Sequence, residues 1–301
     1  MKTIKFYLPP HDKKILEENR RPLYGQIVKA INDAKFKVET AELDESHRFT
    51  AGVIEDYALL IKMLVPQENV FTLRKLSIRN YWTIERAEYR NNFRLTNQNP
   101  DFALIDAKRA EIFANKTRRK KISVSQNARS KDQPILIALQ GTLLTHRKDQ
   151  YCSPIEMINL TRAHFPDRQI IVKPHPRGGY GEDELKALHN CVEKLDITLS
   201  NDSVEELLAQ ASFVISMNSS VALSAILYHV PSVYFSYADF FHIGQTVMYG
   251  KSVRAAFTDV EQVKPEFDKY IYWYLYENML SSKDERVGEK AVAMMQSMGF
   301  V

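Results

Sequence analysis

Beyond residue 133, short apolar runs alternate with longer stretches of helical period. Ile135–Leu139, Gln169–Val172, Ile197–Leu199, Phe213–Ser216 and Ser232–Phe235 are apolar runs of strand length. Such continuous runs predict strands covered on both faces. The stretches between them carry local start signals. Ser153-Pro154-Ile155-Glu156 offers a capping serine, a proline at the first helical position and a glutamate in the first turn. Ser203-Val204-Glu205-Glu206 is a capping box that opens a helix to about Gln210. Glu182–Val192 and Ser219–Tyr228 also read as helices. The order β-α-β-α-β-α-β-α-β predicts right-handed crossovers and a parallel sheet, a Rossmann-like domain over residues 134–259. It lacks the G-x-G-x-x-G fingerprint.

The first 122 residues mix their periods. Ile4–Leu8 predicts a buried opening strand, Pro9-Pro10-His11-Asp12 a turn, and Lys13–Ala34 a helix. Val53–Met63 and Val70–Leu73 hold further apolar segments, and Tyr81–Phe93 is aromatic and charged at helix-compatible spacing. Asp101–Ala114 starts apolar and turns helical. This part is expected to be an N-terminal α/β domain, residues 1–122. The run Asn115–Lys121 holds five basic residues and leads into a polar linker, 123–133. The tail, 260–301, predicts two helices, the first rich in aromatics: Phe267, Tyr270, Tyr272, Trp273, Tyr274 and Tyr276. Packing across the domains is the expected role of that tail, with a membrane-surface role as the alternative.

Composition narrows the class. With 45% hydrophobic and 26% charged residues, the 301-residue chain can bury a sizeable core. A net charge of +4 is too weak to argue for nucleic acid, and the basic run has no interleaved aromatics. Two cysteines, Cys152 and Cys191, give neither a disulfide framework nor a zinc spacing. The opening residues lack the apolar stretch of a signal peptide, and runs such as Ile271–Tyr276 fall far short of the ~18 residues a membrane span needs. A reduced, cytoplasmic protein is expected, with peripheral contact to the inner membrane through the basic run kept open.

In a parallel sheet, ligands bind beyond the carboxyl ends of the strands. The five predicted strands deliver a coherent set of groups there. Gln140-Gly141-Thr142 follows the first, and Lys173-Pro174-His175-Pro176-Arg177-Gly178-Gly179 the second. Met217-Asn218-Ser219-Ser220 follows the fourth and Ser236-Tyr237 the fifth. Ser219 and Ser220 enter a helix, whose free N–H groups and dipole favour an anion. Pro174 and Pro176 stiffen the backbone around His175, flanked by the cations Lys173 and Arg177. A histidine so placed can donate to a phosphate or protonate a leaving one.

Lys173-Pro174-His175-Pro176 followed by Asn218-Ser219-Ser220 resembles the HP and paired-serine motifs of bacterial sialyltransferases and polysialyltransferases. It also resembles the capsule-polysaccharide synthesis family that includes Kdo transferases, in which Leu-Gln precedes the HP element as Leu139-Gln140 does here. The resemblance covers residues 134–245. It implies a GT-B-like fold, α/β with two Rossmann-like domains facing a cleft. It also implies donor-phosphate contacts from His175, Ser219 and Ser220, often to CMP, and an N-domain carboxylate that activates the acceptor hydroxyl. The acidic motif of the sialyltransferases is missing. Asp12, Glu55, Asp56 and Glu85 are candidate bases, with Asp12 and Glu85 the foremost.

The reading is thus a glycosyltransferase of surface-polysaccharide assembly, with CMP-Kdo or CMP-sialic acid as its substrate and a saccharide or lipid-linked saccharide as acceptor. Gln140, Gly141, Lys173, Pro176, Arg177, Asn218, Ser219 and Ser220 are its expected donor contacts. His175 and a carboxylate, Glu85 or Asp12, are its catalytic groups. No cofactor is expected, and no metal, since no D-x-D motif is present. A GT-B-like sugar-nucleotide epimerase and a non-catalytic binding subunit remain the alternatives.

Overall fold

The computed structural model describes residues 1–18, 22–53, 55–119, 122 and 130–301. Lys120, Lys121 and residues 123–129, and with them most of the expected linker, lie outside the described residues. The chain forms two compact units, Met1–Gln98 with Tyr274–Val301, and Asn99–Trp273. The helix Ala107–Arg119 therefore belongs to the second unit, and the last residues return to the first. The domain limits read from the sequence had placed that helix in the N-terminal part and the tail by itself.

In the first unit, β1 (Thr3–Leu8), β2 (Lys37–Glu42), β3 (Tyr57–Ile61) and β4 (Val70–Lys75) run parallel, and β5 (Tyr81–Glu85) is antiparallel to β4. The short strand Leu280–Ser281 completes a six-stranded sheet by pairing with β5. Phe6, Leu59, Phe71 and Ile84 lie in its core with Tyr24 and Ile27 of the helix Pro22–Asp33. Gly288 of the helix Val287–Gln296 lets these two helices meet, since a Cβ there would lie 2.2 Å from the Gln26 carbonyl oxygen.

Two expectations are corrected here. The single helix expected over Lys13–Ala34 is two helices, Pro10–Glu17 and Pro22–Asp33. Pro22 has no N–H to continue an earlier helix, but it suits the start of a new one. The stretch expected to be helical from Tyr81 begins as strand β5. Trp82 to Glu85 are all buried between neighbouring strands, and the charged positions that suggested helical spacing, Glu85 apart, come after the strand ends.

The second unit is the Rossmann-like one. Its strands are β6 (Ile135–Ala138), β7 (Ile170–Lys173), β8 (Thr198–Leu199), β9 (Phe213–Ser216), β10 (Ser232–Tyr234) and β11 (Gln245–Thr246). All pair in parallel, in the order β11-β10-β9-β6-β7-β8. All five expected strands are present and β11 is added. Ile135, Ile137, Val172, Phe213, Ile215 and Val233 fill the core on one face with Phe257. The helices Pro154–His164 and Val204–Gln210 both start with the capping boxes read from the sequence. The chain builds outward from β6 to β8 and then returns to β9 on the other side. The loops after β6 and β9 thus flank the topological switch, where ligands bind in open α/β sheets.

The aromatic tail is interior. Phe267, Tyr270, Tyr272, Trp273 and Tyr274 are at most 8% exposed, and only Tyr276, at 41%, reaches the surface. That burial leaves the five rings no membrane-facing surface. Among the described residues, no helix is long and apolar enough to cross a membrane.

Candidate functional site

The loops at the carboxyl edge of β6, β9 and β10 are joined by one polar network. Asn218 is 4% exposed, and its Nδ2 donates to Ser236 Oγ (2.9 Å) and to the Tyr237 carbonyl (3.1 Å). Ser236 in turn donates to the Asp149 carbonyl at 2.6 Å. A carbonyl only accepts, so the Tyr237 contact fixes which way the Asn218 amide points. Its Oδ1 therefore accepts from Gln140 Nε2 at 3.1 Å, across the switch point. That in turn fixes Gln140, whose Oε1 is buried and has no partner among the described residues. A buried acceptor without a donor costs about 1–3 kcal/mol within this packing. Gly141, next in the chain, has φ +73° and open space around its Cβ position. Its left-handed backbone suits glycine and lets the loop turn away from the strand.

His175 is held by its own loop. The Gly178 amide donates to the His175 carbonyl at 2.9 Å, closing a turn with Pro176 in its second position. The Arg177 amide donates to His175 Nδ1 at 3.1 Å. That nitrogen is thereby an acceptor, and the neutral ring carries its proton on Nε2. The His175 amide donates to the Tyr180 hydroxyl at 2.9 Å. Tyr180 lies against Gly178, where a Cβ would sit 2.4 Å from the ring. Burial first, and the nearby Glu184 charge after it, push the Tyr180 hydroxyl above its usual pKa. It therefore stays protonated in ordinary buffers. The Arg177 side chain is exposed.

Ser219 and Ser220 open the helix Ser220–Leu227 as expected. Ser219 is 4% exposed and caps the helix, its Oγ accepting from the Val221 amide at 3.2 Å. Ser220 is exposed at the first helical position. The pair thus divides its work: one serine fixes the helix end and the other faces solvent where the dipole favours an anion. Lys173 is placed differently. Its ammonium donates to the Asp202 carbonyl at 2.6 Å, in the loop after β8, on the side of β7 away from the switch. It braces an outer loop.

Sequence reading did not single out Glu184. Its carboxylate accepts from the Leu143 amide (2.5 Å) and from the Gly181 amide (3.0 Å), tying the loop after β6 to the loop after β7. The signal was local: Glu184 stands three residues after Gly181 at the start of the helix Glu182–Leu195, a position from which a glutamate reaches back to the chain.

The four carboxylates of the first unit separate clearly. Asp12 lies in the first turn of the helix Pro10–Glu17, directly beyond the carboxyl end of β1. It is half-buried, and the Tyr24 hydroxyl donates to its Oδ1 at 3.2 Å. Glu85 ends the antiparallel β5 and so lies towards the opposite, amino-terminal edge of β1–β4. It is 1% exposed, accepting from the Thr83 hydroxyl (3.0 Å) and the Arg94 amide (2.8 Å). This geometry makes Glu85 a buried anchor of the chain after β5, without the access a catalytic base requires. Asp56 accepts from the Thr3 amide (2.6 Å) at the start of β1. Glu55 accepts from the Tyr7 hydroxyl (2.5 Å) and the Gly52 amide (3.1 Å), with Lys5 3.5 Å away. Burial alone would raise the Glu55 pKa, but the bonds from Tyr7 and Gly52 and the Lys5 charge outweigh it and hold the carboxyl below its usual range. Burial first, and then Glu55, push the Tyr7 hydroxyl far up. Among the four, Asp12 alone combines the carboxyl edge with partial exposure.

The fold has solved counterparts. A Thermosulfurimonas dismutans KpsC structure, described as a beta Kdo 2,7 transferase, superposes with a TM-score of 0.52, at 12% identity over 99% of both chains. A second KpsC structure from that organism, a beta Kdo 2,4 transferase, gives a TM-score of 0.44 at 11% identity over 88% of both chains. The Methanocaldococcus jannaschii UDP-GlcNAc 2-epimerase gives 0.36 at 13% identity, over 99% of this chain and 100% of that one. The first likeness supports a GT-B-like α/β fold; the other two are too slight to argue from. No curated protein matches the chain. The profile described as "Capsule polysaccharide biosynthesis protein" matches residues 61–248, well over half of the sequence and including every loop at the switch point. The chain belongs to the capsule polysaccharide biosynthesis family.

Proposed function

We propose that this protein is a glycosyltransferase of capsule polysaccharide assembly that uses a nucleotide-activated sugar, with CMP-Kdo or CMP-sialic acid as the donor. The observation that carries the reading is the set of groups on the loops at the carboxyl edge of the second unit's sheet. His175 Nε2–H, in the loop after β7, is a donor. The exposed Ser220 and its helix end supply positive potential. Donors for a phosphate at a helix start suit a nucleotide. The KpsC structure described as a beta Kdo 2,7 transferase, together with the family itself, favours this donor class.

In this mechanism a general base takes the proton from the acceptor hydroxyl as its oxygen attacks the anomeric carbon of the donor sugar; Asp12 is the candidate for that base. The bond from that carbon to the phosphate oxygen breaks, and its electron pair leaves with CMP. His175 Nε2–H and the helix start at Ser220 stabilise the charge gathering on the departing phosphate. The acceptor is a saccharide or lipid-linked saccharide. No metal or cofactor is invoked in this scheme.

Titration calorimetry with CMP, UDP, GDP and ADP tests the proposal. CMP is expected to bind most tightly, with affinity reduced at least tenfold in His175→Ala. Selective binding of UDP or GDP, lost in the same variant, would keep a transferase and discard the Kdo and sialic acid donors. Binding of no nucleotide would overturn the proposal in favour of a non-catalytic subunit. An epimerised or hydrolysed donor without need of an acceptor would overturn it in favour of another enzyme class.

A further inference from the structure

The helix Ala107–Arg119 has one committed face and one open face. Ala110 and Ala114 are buried, the Phe113 ring meets Tyr272 edge-on at 5.7 Å, and Arg118 Nε donates to the Leu227 carbonyl at 2.8 Å. At 3.6 residues per turn, Lys108, Ile112, Lys116 and Arg119 fall on a stripe opposite the buried alanines. All four are exposed, Ile112 at 59%. Leu104, in the turn that leads into the helix, is 84% exposed. The acid beside the stripe is Glu111, paired with Lys108 at 3.0 Å on the surface.

An exposed isoleucine among three cations, with an exposed leucine in the turn before the helix, matches a particular layered chemistry. At an anionic bilayer, leucine and isoleucine enter the boundary of the acyl chains, while lysine and arginine keep their stems apolar and their charges at the lipid phosphates. A soluble polyanion such as nucleic acid would use the cations but gain nothing from Leu104 or Ile112. We infer that this stripe is a membrane-docking surface whose occupant is the phosphate headgroup layer of anionic phospholipids. The inference stands apart from the donor site, which is built from other loops, and it locates on specific residues the peripheral contact that the basic run suggested.

Vesicle co-sedimentation of the full chain tests it. The probes are vesicles of phosphatidylcholine alone and of phosphatidylcholine with about one-third phosphatidylglycerol. The wild type is expected to bind the anionic vesicles and scarcely the neutral ones. A surface cation near such a membrane is worth about fivefold in affinity, so Lys108→Gln/Lys116→Gln/Arg119→Gln should lose about 100-fold. Leu104→Ser/Ile112→Ser should lose about tenfold by removing exposed apolar surface that the membrane would bury. All five positions are solvent-exposed, so both variants should melt with the wild type and bind CMP unchanged. Equal binding of the wild type to neutral and anionic vesicles would overturn the inference. So would a Leu104/Ile112 variant that binds as the wild type does, since general attraction to polyanions would then suffice. Vesicle binding as expected, with no nucleotide binding, would leave this surface standing and remove the proposed transferase function alone.

Discussion

Asn218→Asp tests the polar network beneath the switch point with almost no change in shape. Asn218 is 4% exposed, and its Nδ2 has two acceptors, Ser236 Oγ and the Tyr237 carbonyl. The Ser236 hydroxyl proton is already committed to the Asp149 carbonyl, so it cannot turn to serve a carboxylate. An ionised side chain there keeps the bond from Gln140 but sets an oxygen against two acceptors. Losing two buried bonds and placing an unpaired charge costs about 2–4 kcal/mol. For a unit of this size that is roughly 5–15 °C in Tm. The sign of the pH dependence follows from the same geometry. A carboxyl surrounded by acceptors and little solvent has its folded pKa raised above the unfolded value. Its protonated form supplies an O–H donor, so the variant is closest to wild type at acidic pH, below the unfolded pKa. The deficit grows as pH rises through the raised folded pKa. Circular dichroism melts of both proteins from pH 4.5 to 8 measure it. A deficit under 1 °C at pH 7.5, or one that shrinks as pH rises, would refute the network's assigned orientation.

Three further outcomes follow from named residues. Asp12→Asn should lower transferase turnover by about 10²–10⁴-fold while leaving CMP affinity within twofold, measured by product formation and calorimetry; unchanged turnover removes Asp12 as the base. Gly288→Ala places a methyl 2.2 Å from the Gln26 carbonyl oxygen, so the helix pair must separate, at a cost of about 1–3 kcal/mol read from thermal melts. Burial, and then the Glu156 charge, push the Cys152 thiol up to about 12, and burial also raises Cys191. Neither should react with a maleimide at pH 8 until the chain unfolds, a result that mass spectrometry with and without denaturant reads directly.

The second unit was legible because its signals are local. Strands buried on both faces are mostly apolar, and Ser153 and Ser203 announce their helices within four residues. The site loops follow those strands by position alone, so Gln140, His175, Asn218, Ser219 and Ser220 were in view from the sequence. Their division of labour was not. That Ser219 caps while Ser220 is exposed, and that Lys173 turns to Asp202 rather than to the switch, depends on neighbours brought in by the fold. The first unit was opaque for the same reason. Strand β5 takes partners at Leu73 and at Leu280, the latter nearly two hundred residues away, and no local period reveals such a pairing. Glu85 looked like an exposed acid because its partner amide, at Arg94, arrives from a loop with no regular spacing. Glu184 was hidden because its second bond, to Leu143, joins two loops distant in sequence.

The central claim is that a nucleotide's phosphate sits at the switch point of the second unit. A crystal structure of the protein with CMP tests it most directly. The account predicts the phosphate within hydrogen-bond distance of His175 Nε2 and of the Ser220 hydroxyl or amide. CMP bound elsewhere, or bound there with His175 Nε2 untouched, would contradict it.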